Sequence, residues 1–446
     1  MVTAEEVGAF SRDQAEILST RRGEPGWLRE RRLHAQEVFA ATPMPDTRPE
    51  EWRYTEIARV LDLDALEFAP ESAPVKGINA LPDPLRARIG EASEGAGRLV
   101  QCDASGVFAE LSDQLAERGV VFTTLDRAVR EHRELVEEWL GSALAPEAGK
   151  FAALNAAFWT GGVFVYVPEG VRVELPLRSW RWLSAGGTAV LPRTLVVAGA
   201  GAAVPLVEET VSADFGEQAA SVGAVEVFAG EGAQVNHVAV QRWGRGVVQL
   251  SSDRFTAGRD AKITALNLAL GSDLSRSDVR CRLEAPGAHA DLLGLYLAED
   301  TQHVDFQTLQ DHVAPHASSN LLFKGALRDT GRSVFRGMIR VHKGAQRTDA
   351  YQTNRNLILS DGARADSLPN LEIEADDVRC SHAATVGQLD QEEIFYLRSR
   401  GIPEREAVRL VVFGFFGEVL DRLGLDGVRG ELVRTIEEKL KARPGG

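Results

Sequence analysis

The sequence predicts a mainly β protein in which a β-solenoid core lies between helical regions at the two ends. Short runs rich in Val, Leu, Ala and Thr alternate with Gly or Asp turns from about Phe151 to about Val386, and helical spacing of apolar residues precedes and follows them. With 446 residues, the chain is too long for one ordinary core. We therefore expect an N-terminal helical and mixed region (1–145), a β core (146–386) and a C-terminal helical domain (387–446).

A turn-like unit recurs at nearly constant spacing within the β core. It contains a short polar or Gly step, an alanine, a spacer and usually a small or apolar residue. The steps between its alanines are 31, 28, 27, 29 and 28 residues, and a further copy near Ala363 follows a shorter step. Such a period predicts stacked coils that bury a continuous column of side chains, with a large β-sandwich as the alternative. The alanines are Ala202, Ala233, Ala261, Ala288, Ala317 and Ala345.

Helices are predicted before the core. Apolar spacing predicts one helix from Ala4 to Ser19 and a second that Pro25 opens and that Pro43 and Pro45 end. A short helix is predicted from Leu125 to Trp139. The stretch between them shows no sustained period, so we interpret it as mixed structure.

Helix boundary signals are clear after the core. Asp390 is expected to cap a helix, with Glu393 reaching back in a capping box, and Gly401 is expected to end it. Pro403 then opens the next helix. The apolar positions predicted for the three C-terminal helices are Ile394, Phe395 and Leu397; Ala407, Leu410, Val411, Phe415 and Val419; and Val428, Leu432, Ile436 and Leu440.

Composition restricts the function classes. The formal charge of −15 argues against a general nucleic-acid binder. Three unevenly spaced cysteines indicate a reducing compartment rather than a disulfide framework. Met1 to Phe10 does not resemble a secretory signal and no run of about 18 apolar residues exists, so we predict a cytoplasmic protein without a membrane span. The arginines that we interpret as a solvated helix face are Arg21, Arg22, Arg29, Arg31 and Arg32.

No motif supports nucleotide binding or catalysis, and we predict that the chain is not an enzyme. The stretch Gly199 to Gly201 lacks the lysine and the following helix of a phosphate-binding loop. If the function of this protein requires ATP, another chain must therefore bind it. Some parallel β-helices hydrolyse polysaccharides with aligned carboxylates. The pairs Asp376–Asp377 and Glu372–Glu374 leave such a hydrolase open as an alternative, although solvated acids are the simpler explanation.

The segment Arg379 to His382 offers the most informative chemistry. On a strand, Cys380 and His382 point to the same face, with Cα atoms roughly 6.5 Å apart. A thiolate and an imidazole suit iron–sulfur or zinc chemistry, but two ligands do not close a four-coordinate site. The missing ligands must come from elsewhere in the chain or from another subunit. A buried structural cysteine beside a hydrogen-bonded histidine is the alternative.

The other cysteines and histidines form no recognisable motif. Cys102 and Cys281 are distant from Cys380 and have no partner motif. We expect the loose group of His303, His312 and His316 to be exposed to solvent or hydrogen-bonded in the core.

Several longer motifs resemble one known family over most of the chain. In them the chain resembles the SufB/SufD family of iron–sulfur cluster assembly scaffolds, and its C-terminal motifs are similar to the SufD type. The motifs are EEWRYT at 50–55, FAALNAAFWTGGVFVYVPEGV from Phe151, FKGALRDTGRSVFRGMIRV from Phe323, AQRTDAYQTNRNLILS from Ala345, LPNLEI from Leu368, and ADDVRCSHAATVGQLDQEEIFYLRSRGI from Ala375 to Ile402.

The resemblance implies a right-handed parallel β-helix flanked by helices and a non-catalytic scaffold role in the SUF system. It implies a heterodimer with SufB through the β-helix ends and docking of the ATPase SufC on the C-terminal helices, with ATP bound by SufC and not by this chain. It also implies a transient iron–sulfur cluster or iron shared with SufB. Carried over residue by residue, the metal-binding positions are Cys380 and His382. Whether the isolated chain forms a homodimer stays open.

Two positions depart from the SufB pattern. Aligning the Phe-Pro-Tyr stretch of SufB on Leu368-Pro369-Asn370 places Ala363 where SufB has a sulfur-accepting cysteine. Ala383 stands where SufB has a glutamate. The resemblance therefore implies that this chain neither accepts sulfur nor completes a cluster alone, and a SufB-like scaffold that assembles a cluster by itself is the second alternative.

Overall fold

Stacked strands form the centre of the molecule in a computed structural model that describes residues 8–441. The strands are β1 (Glu67–Phe68), β2 (Gly97–Cys102), β3 (Ser105–Leu111), β4 (Val121–Thr124), β5 (Gly162–Val167), β6 (Leu177–Leu183), β7 (Thr188–Val190), β8 (Arg193–Ala198), β9 (Ala203–Ser212), β10 (Ala219–Ala229), β11 (Gln234–Arg242), β12 (Val247–Ala257), β13 (Lys262–Ala269), β14 (Leu274–Leu283), β15 (His289–Ala298), β16 (His303–His312), β17 (Ser318–Leu327), β18 (Arg332–Val341), β19 (Asp349–Ile358), β20 (Arg364–Ile373) and β21 (Arg379–Gln388).

Alternate strands belong to two different sheets. The first sheet runs β20-β18-β16-β14-β12-β10-β8-β5-β4, with β1 and β7 at its side, and the second runs β21-β19-β17-β15-β13-β11-β9-β6-β2-β3. From β5 onward the neighbours pair in parallel, and each residue pairs with one a full coil later, as Ile263 pairs with Ala290 and Ala290 with Ser319. The predicted parallel β-solenoid is confirmed, since a sandwich would not show this register.

The repeated alanines lie at one corner of the coils. The first five directly precede β9, β11, β13, β15 and β17, and Ala345 stands four residues before β19. The amide of Ala233 donates to the carbonyl of Gly230 at 3.0 Å and closes a turn that four of the other alanines share. All six are buried, because only a small side chain fits inside the corner. Ala363 instead precedes β20 in the first sheet, which places it at another corner and explains its shorter step.

Aromatic rings fill the solenoid interior near its middle. The ring centroids of Tyr296 and Phe306 are 5.5 Å apart, those of Phe306 and Phe323 5.0 Å, and those of Phe323 and Phe335 5.5 Å. Gly294 and Gly325 make room for the rings, because a Cβ at either position would overlap Phe323 or Tyr296. The four rings therefore form one apolar layer across the coils.

Helices cover the solenoid on several sides. Those of the N-terminal region pack on the first sheet and the start of the solenoid, whereas the last two pack on the outer face of the second sheet through Val412, Phe416 and Leu432. The helices are α1 (Arg12–Arg22), α2 (Gly26–Ala41), α3 (Asp83–Glu91), α4 (Asp113–Glu117), α5 (Leu125–Glu131), α6 (Arg133–Trp139), α7 (Lys150–Phe158), α8 (Gln391–Ser399), α9 (Glu404–Asp421) and α10 (Asp426–Lys441). Within residues 8–441, none of them is long and apolar enough to cross a membrane.

The N-terminal predictions need three corrections. The first helix begins at Arg12, and residues 4–7 of the predicted span lie outside the described residues. The helix predicted from Leu125 to Trp139 is two helices that meet at His132. Arg32 is not solvated, because its buried guanidinium donates to both carboxylate oxygens of Glu24 at 2.7 Å. In addition, β2, β3 and β4 lie in the region expected to be helical and mixed, and they extend the two sheets.

The three predicted C-terminal helices are confirmed, but some of the apolar residues expected on their buried faces are not buried. The side chain of Asp390 accepts from the amide of Glu392 at 2.8 Å and caps α8, as predicted, but no hydrogen bond in the described residues joins Glu393 to the amide of Asp390, so the predicted capping box is only half formed. Phe395 was expected on the buried face of α8, but it is 73% exposed, and Ile394 is the residue of that helix that is buried. In α9 the buried stripe includes Val412 and Phe416, each one position after the predicted Val411 and Phe415.

Candidate functional site

The last coil leaves the C-terminal end of the solenoid open. Strands β20 and β21 are the end strands of their sheets, so each pairs with the described chain on one edge only. Their residues are all exposed or half-buried, whereas the interior-side residues of the coil below, such as Ala350, Gln352 and Asn354, are buried. An exposed strand edge carries free backbone donors and acceptors that another chain can pair with.

Cys380 and His382 lie on β21 and point to the interior side of the solenoid. Cys380 pairs in register with Ala350, and His382 pairs with Gln352. Both partners are buried inside the solenoid, and side chains that stack in parallel register share a face. The predicted common face of Cys380 and His382 therefore follows from the pairing.

The two side chains differ in burial. Cys380 is half-buried and packs against an apolar cluster that includes Ile339, Val341 and Ala350, whereas His382 is exposed at the open end. Burial raises the pKa of the Cys380 thiol, and the charge of Asp349 raises it further. The thiol is therefore largely protonated at neutral pH unless a metal ion binds it.

This pair does not make a complete metal site by itself. Within residues 8–441, no group of three His, Cys, Asp or Glu side chains is arranged to hold a metal ion. A tetrahedral site needs four ligands, so Cys380 and His382 could supply only part of one.

A buried polar network lies directly beneath the open coil. Asn354 Nδ2 donates to the hydroxyl of Tyr296 at 3.0 Å, Tyr296 donates to Asn356 Oδ1 at 2.6 Å, and Ser367 donates to Asn354 Oδ1 at 2.7 Å. Gln352 Nε2 donates to the carbonyl of Asn370 at 3.2 Å and so links the two sheets under His382. We did not predict this network, although the alternation of Gln352, Asn354 and Asn356 carries its signal.

Cys102, Cys281, His303 and His312 lie away from the open coil and are largely buried. Burial raises the pKa of Cys102 to about 11 and that of Cys281 to about 12, which keeps both thiols protonated. Burial lowers the pKa of His312 to about 4, and its Nε2 lies 2.7 Å from Ser319 Oγ. His303 lies 3.3 Å from Thr55 Oγ1. His303 and His312 are therefore hydrogen-bonded within the protein, as expected.

Apolar side chains are exposed around the open end and on the adjacent helix. Leu371 and Ile373 are exposed on β20, and Val386 is 49% exposed on β21. On α8, Phe395 and Tyr396 are both exposed. Exposed apolar residues that cluster in this way mark surfaces that bind other proteins.

Comparison with known proteins places the chain in a family. A family model described as the SUF system FeS cluster assembly SufBD core domain matches residues 181–415, and one described as the SufBD protein N-terminal region matches residues 99–178. The chain belongs to the SufBD family of the SUF iron–sulfur cluster assembly system, and the resemblance predicted from its motifs is confirmed.

Individual relatives cover nearly the whole chain. The iron–sulfur cluster assembly protein SufD of Bacillus subtilis is 34% identical over 429 residues, which cover 95% of this chain and 96% of that protein. SufB of the same organism is 28% identical over 450 residues, covering 98% and 94%. A SufBD family protein of Staphylococcus epidermidis is 29% identical over 437 residues, covering 96% and 92%.

Proposed function

We propose that this chain is a non-catalytic scaffold subunit that pairs with SufB through its open coil and presents Cys380 and His382 to a cluster or iron shared with SufB. The observation that carries the proposal is the position of these two side chains, on the interior side of a terminal strand whose outer edge is unpaired in the described residues. A site that is incomplete within the described residues and open at an edge suits a partner that supplies the missing ligands.

The open coil has the chemistry of an interface. A partner strand that adds to β20 or β21 would satisfy the free backbone groups of that edge. Leu371, Ile373 and Val386 would be buried by the same contact and would add apolar area. A second copy of this chain offers an equivalent edge, so a homodimer is the competing arrangement for the isolated chain.

The exposed aromatic pair on α8 supports docking of the ATPase SufC on the C-terminal helices. Phe395 and Tyr396 project from a helix whose other face holds Ile394 against the protein. Aromatic residues contribute strongly to protein interfaces. ATP is bound by SufC in this proposal, and the ATPase cycle would act on the open end through α8 and α9.

The two alternative functions have less support. A polysaccharide hydrolase requires converging carboxylates, and family membership points instead to cluster assembly. A self-sufficient SufB-like scaffold is opposed by Ala363, which packs against the solenoid core at the position of the SufB cysteine, and by Ala383 in place of a glutamate.

A charged substitution at the open edge tests whether SufB binds there. Val386→Lys should weaken association with SufB at least about tenfold in co-purification and analytical ultracentrifugation, because it would bury an unpaired ammonium group. Leu175→Lys is the matched control, since Leu175 has similar exposure (43% against 49%) and lies outside the open coil. Equal association of SufB with both variants would contradict the proposed interface.

A further inference from the structure

A polar recess lies on the outer face of the first sheet, away from Cys380 and His382 on the interior side of the second sheet. Its volume is about 280 Å³. Strands β12 and β14 form its floor, the start of α7 forms one wall, and the segment that contains Trp52 forms another. The proposed function does not use this recess.

Cationic side chains outnumber carboxylates in the lining of the recess, although the chain carries a net charge of −15 and one cation, Arg276, is paired with the buried Asp305. The lining includes four cationic side chains and two carboxylates, those of Glu51 and Asp278. Asp278 Oδ1 accepts from Arg280 Nε at 2.8 Å, and Asp278 Oδ2 accepts from Arg254 Nη2 at 2.8 Å. This pairing holds both guanidinium groups in place, and no acceptor among residues 8–441 uses the terminal Nη groups of Arg280. The cations are Lys150, Arg254, Arg276 and Arg280.

The N-terminus of α7 opens into the same recess. This helix has nine residues, no side chain caps its N-terminus, and its first turn contains no acidic residue. Gly149, Lys150, Phe151 and Ala152 all line the recess. The amides of a first turn have no acceptor within the helix and lie at the positive end of its dipole, so they favour an anion.

Gln307 supplies an independent sign of a ligand. Its side chain lines the recess in a residue that is only 6% exposed. Nε2 donates to Asp305 Oδ1 at 2.7 Å, which fixes the orientation of the amide, and Oε1 has no hydrogen-bond partner in the described residues. A buried acceptor without a donor is costly, so the occupant should bring an O–H or N–H group.

We propose that this recess binds a phosphate monoester of a small hydroxylated molecule. The phosphate lies at the N-terminus of α7 and accepts from Arg280, and a hydroxyl group donates to Gln307 Oε1. The volume corresponds to roughly nine water molecules at ~30 Å³ each, which exceeds the need of inorganic phosphate.

The EEWRYT motif acquires a structural role from this site. Trp52 lies against Arg276, whose guanidinium carbon is 3.8 Å from the indole centroid, and Arg276 Nη2 donates to the carbonyl of Glu51 at 2.9 Å. These contacts fix the segment against β14 and close the recess on that side.

Calorimetric titration of the full chain tests the proposal, with glycerol 3-phosphate, inorganic phosphate and glycerol as probes. Glycerol 3-phosphate should bind most tightly. Arg280→Gln should weaken its binding at least about tenfold, since a charge-assisted hydrogen bond is lost. Arg282→Gln should leave binding unchanged, because Arg282 lies two residues further on the same strand face and outside the recess.

Two further variants make the test independent of the folding of Arg280→Gln. Ser252→Glu introduces negative charge into the recess and should abolish phosphate binding. Gln307→Met should remove the preference for glycerol 3-phosphate over inorganic phosphate and leave the affinity for inorganic phosphate within about twofold. Equal binding by the Arg280 and Arg282 variants, or no preference for glycerol 3-phosphate in the wild type, would overturn the proposal.

Discussion

His382 on the terminal strand pairs in register with Gln352 on the coil below, and the exposed histidine thereby stands on a fully buried amide. Gln352 crosses the solenoid to the carbonyl of Asn370 and links the two sheets immediately under the open end. The boundary between the closed interior and the open coil therefore falls between these two residues. It explains why His382 is accessible although its side chain points to the interior side.

Cysteine labelling tests where this boundary lies. In the native chain, iodoacetamide should modify Cys380 and leave Cys102 and Cys281 unmodified, because the latter two are buried. Since the pKa of Cys380 is raised above its usual value, the rate should keep rising with pH through the range in which an ordinary thiol levels off. Mass spectrometry of the three sites gives the rates. Added SufB should protect Cys380, and unchanged labelling in the complex would argue against burial of the open coil.

Asp253 should make the stability of the chain depend on pH. Burial raises its pKa to about 6, against a hydrogen bond from Ser251 that lowers it. Ionisation is thus disfavoured in the folded state, so stability falls as the pH rises from about 4 through 6. Asp253→Asn should stabilise the protein by up to about 3 kcal/mol at about pH 8, with a smaller gain at about pH 5. Urea unfolding at both pH values measures this, and a gain that is larger at the lower pH would contradict it.

The aromatic layer should contribute strongly to the free energy of unfolding. Phe323 is fully buried and contacts the rings of Phe306 and Phe335. Phe323→Ala should therefore cost about 3–5 kcal/mol in denaturant unfolding, through lost burial and the cavity that remains. A loss below about 1 kcal/mol would mean that the coils can collapse around the missing ring.

Phe395, unlike Phe323, should contribute little to the free energy of unfolding. Because it is exposed on α8, Phe395→Ala should change the free energy of unfolding by no more than about 0.5 kcal/mol. If α8 docks SufC, the same variant should weaken SufC binding at least about tenfold, as measured by calorimetry. Normal SufC binding by Phe395→Ala would place the docking surface elsewhere.

Local sequence signals predicted the features that depend on local geometry. The alanine repeat predicted the coils because each corner admits only a small side chain, and Asp390 predicted the start of α8 because capping involves neighbouring residues. The common face of Cys380 and His382 was predicted because strand alternation puts residues two apart on one face, whereas their role as metal ligands stays a prediction. The errors occurred where tertiary packing decides: Phe395 is apolar yet faces outward, and Arg32 is charged yet buried with Glu24.

The recess could not have been found from sequence. Its parts come from Trp52, the start of α7 at Lys150, Arg280 and Gln307, and only the stacking of the coils and the return of the N-terminal segment bring them together. The burial of Gln307 Oε1 without a hydrogen-bond donor in the described residues is likewise visible only in three dimensions. Long-range convergence of this kind leaves no fixed spacing along the chain.

The most direct test of the proposed cluster-binding role is anaerobic cluster reconstitution with purified SufB and SufC, in which the wild type is compared with His382→Ala and Ser381→Ala at equal complex yield. Ser381 is the matched control because it neighbours His382 on β21 and points to the opposite face. We expect His382→Ala to form the complex and to lose most of the cluster absorbance, whereas Ser381→Ala should retain it. Undiminished cluster formation with His382→Ala would contradict a ligand role for His382 and reduce this chain to a structural support for SufB.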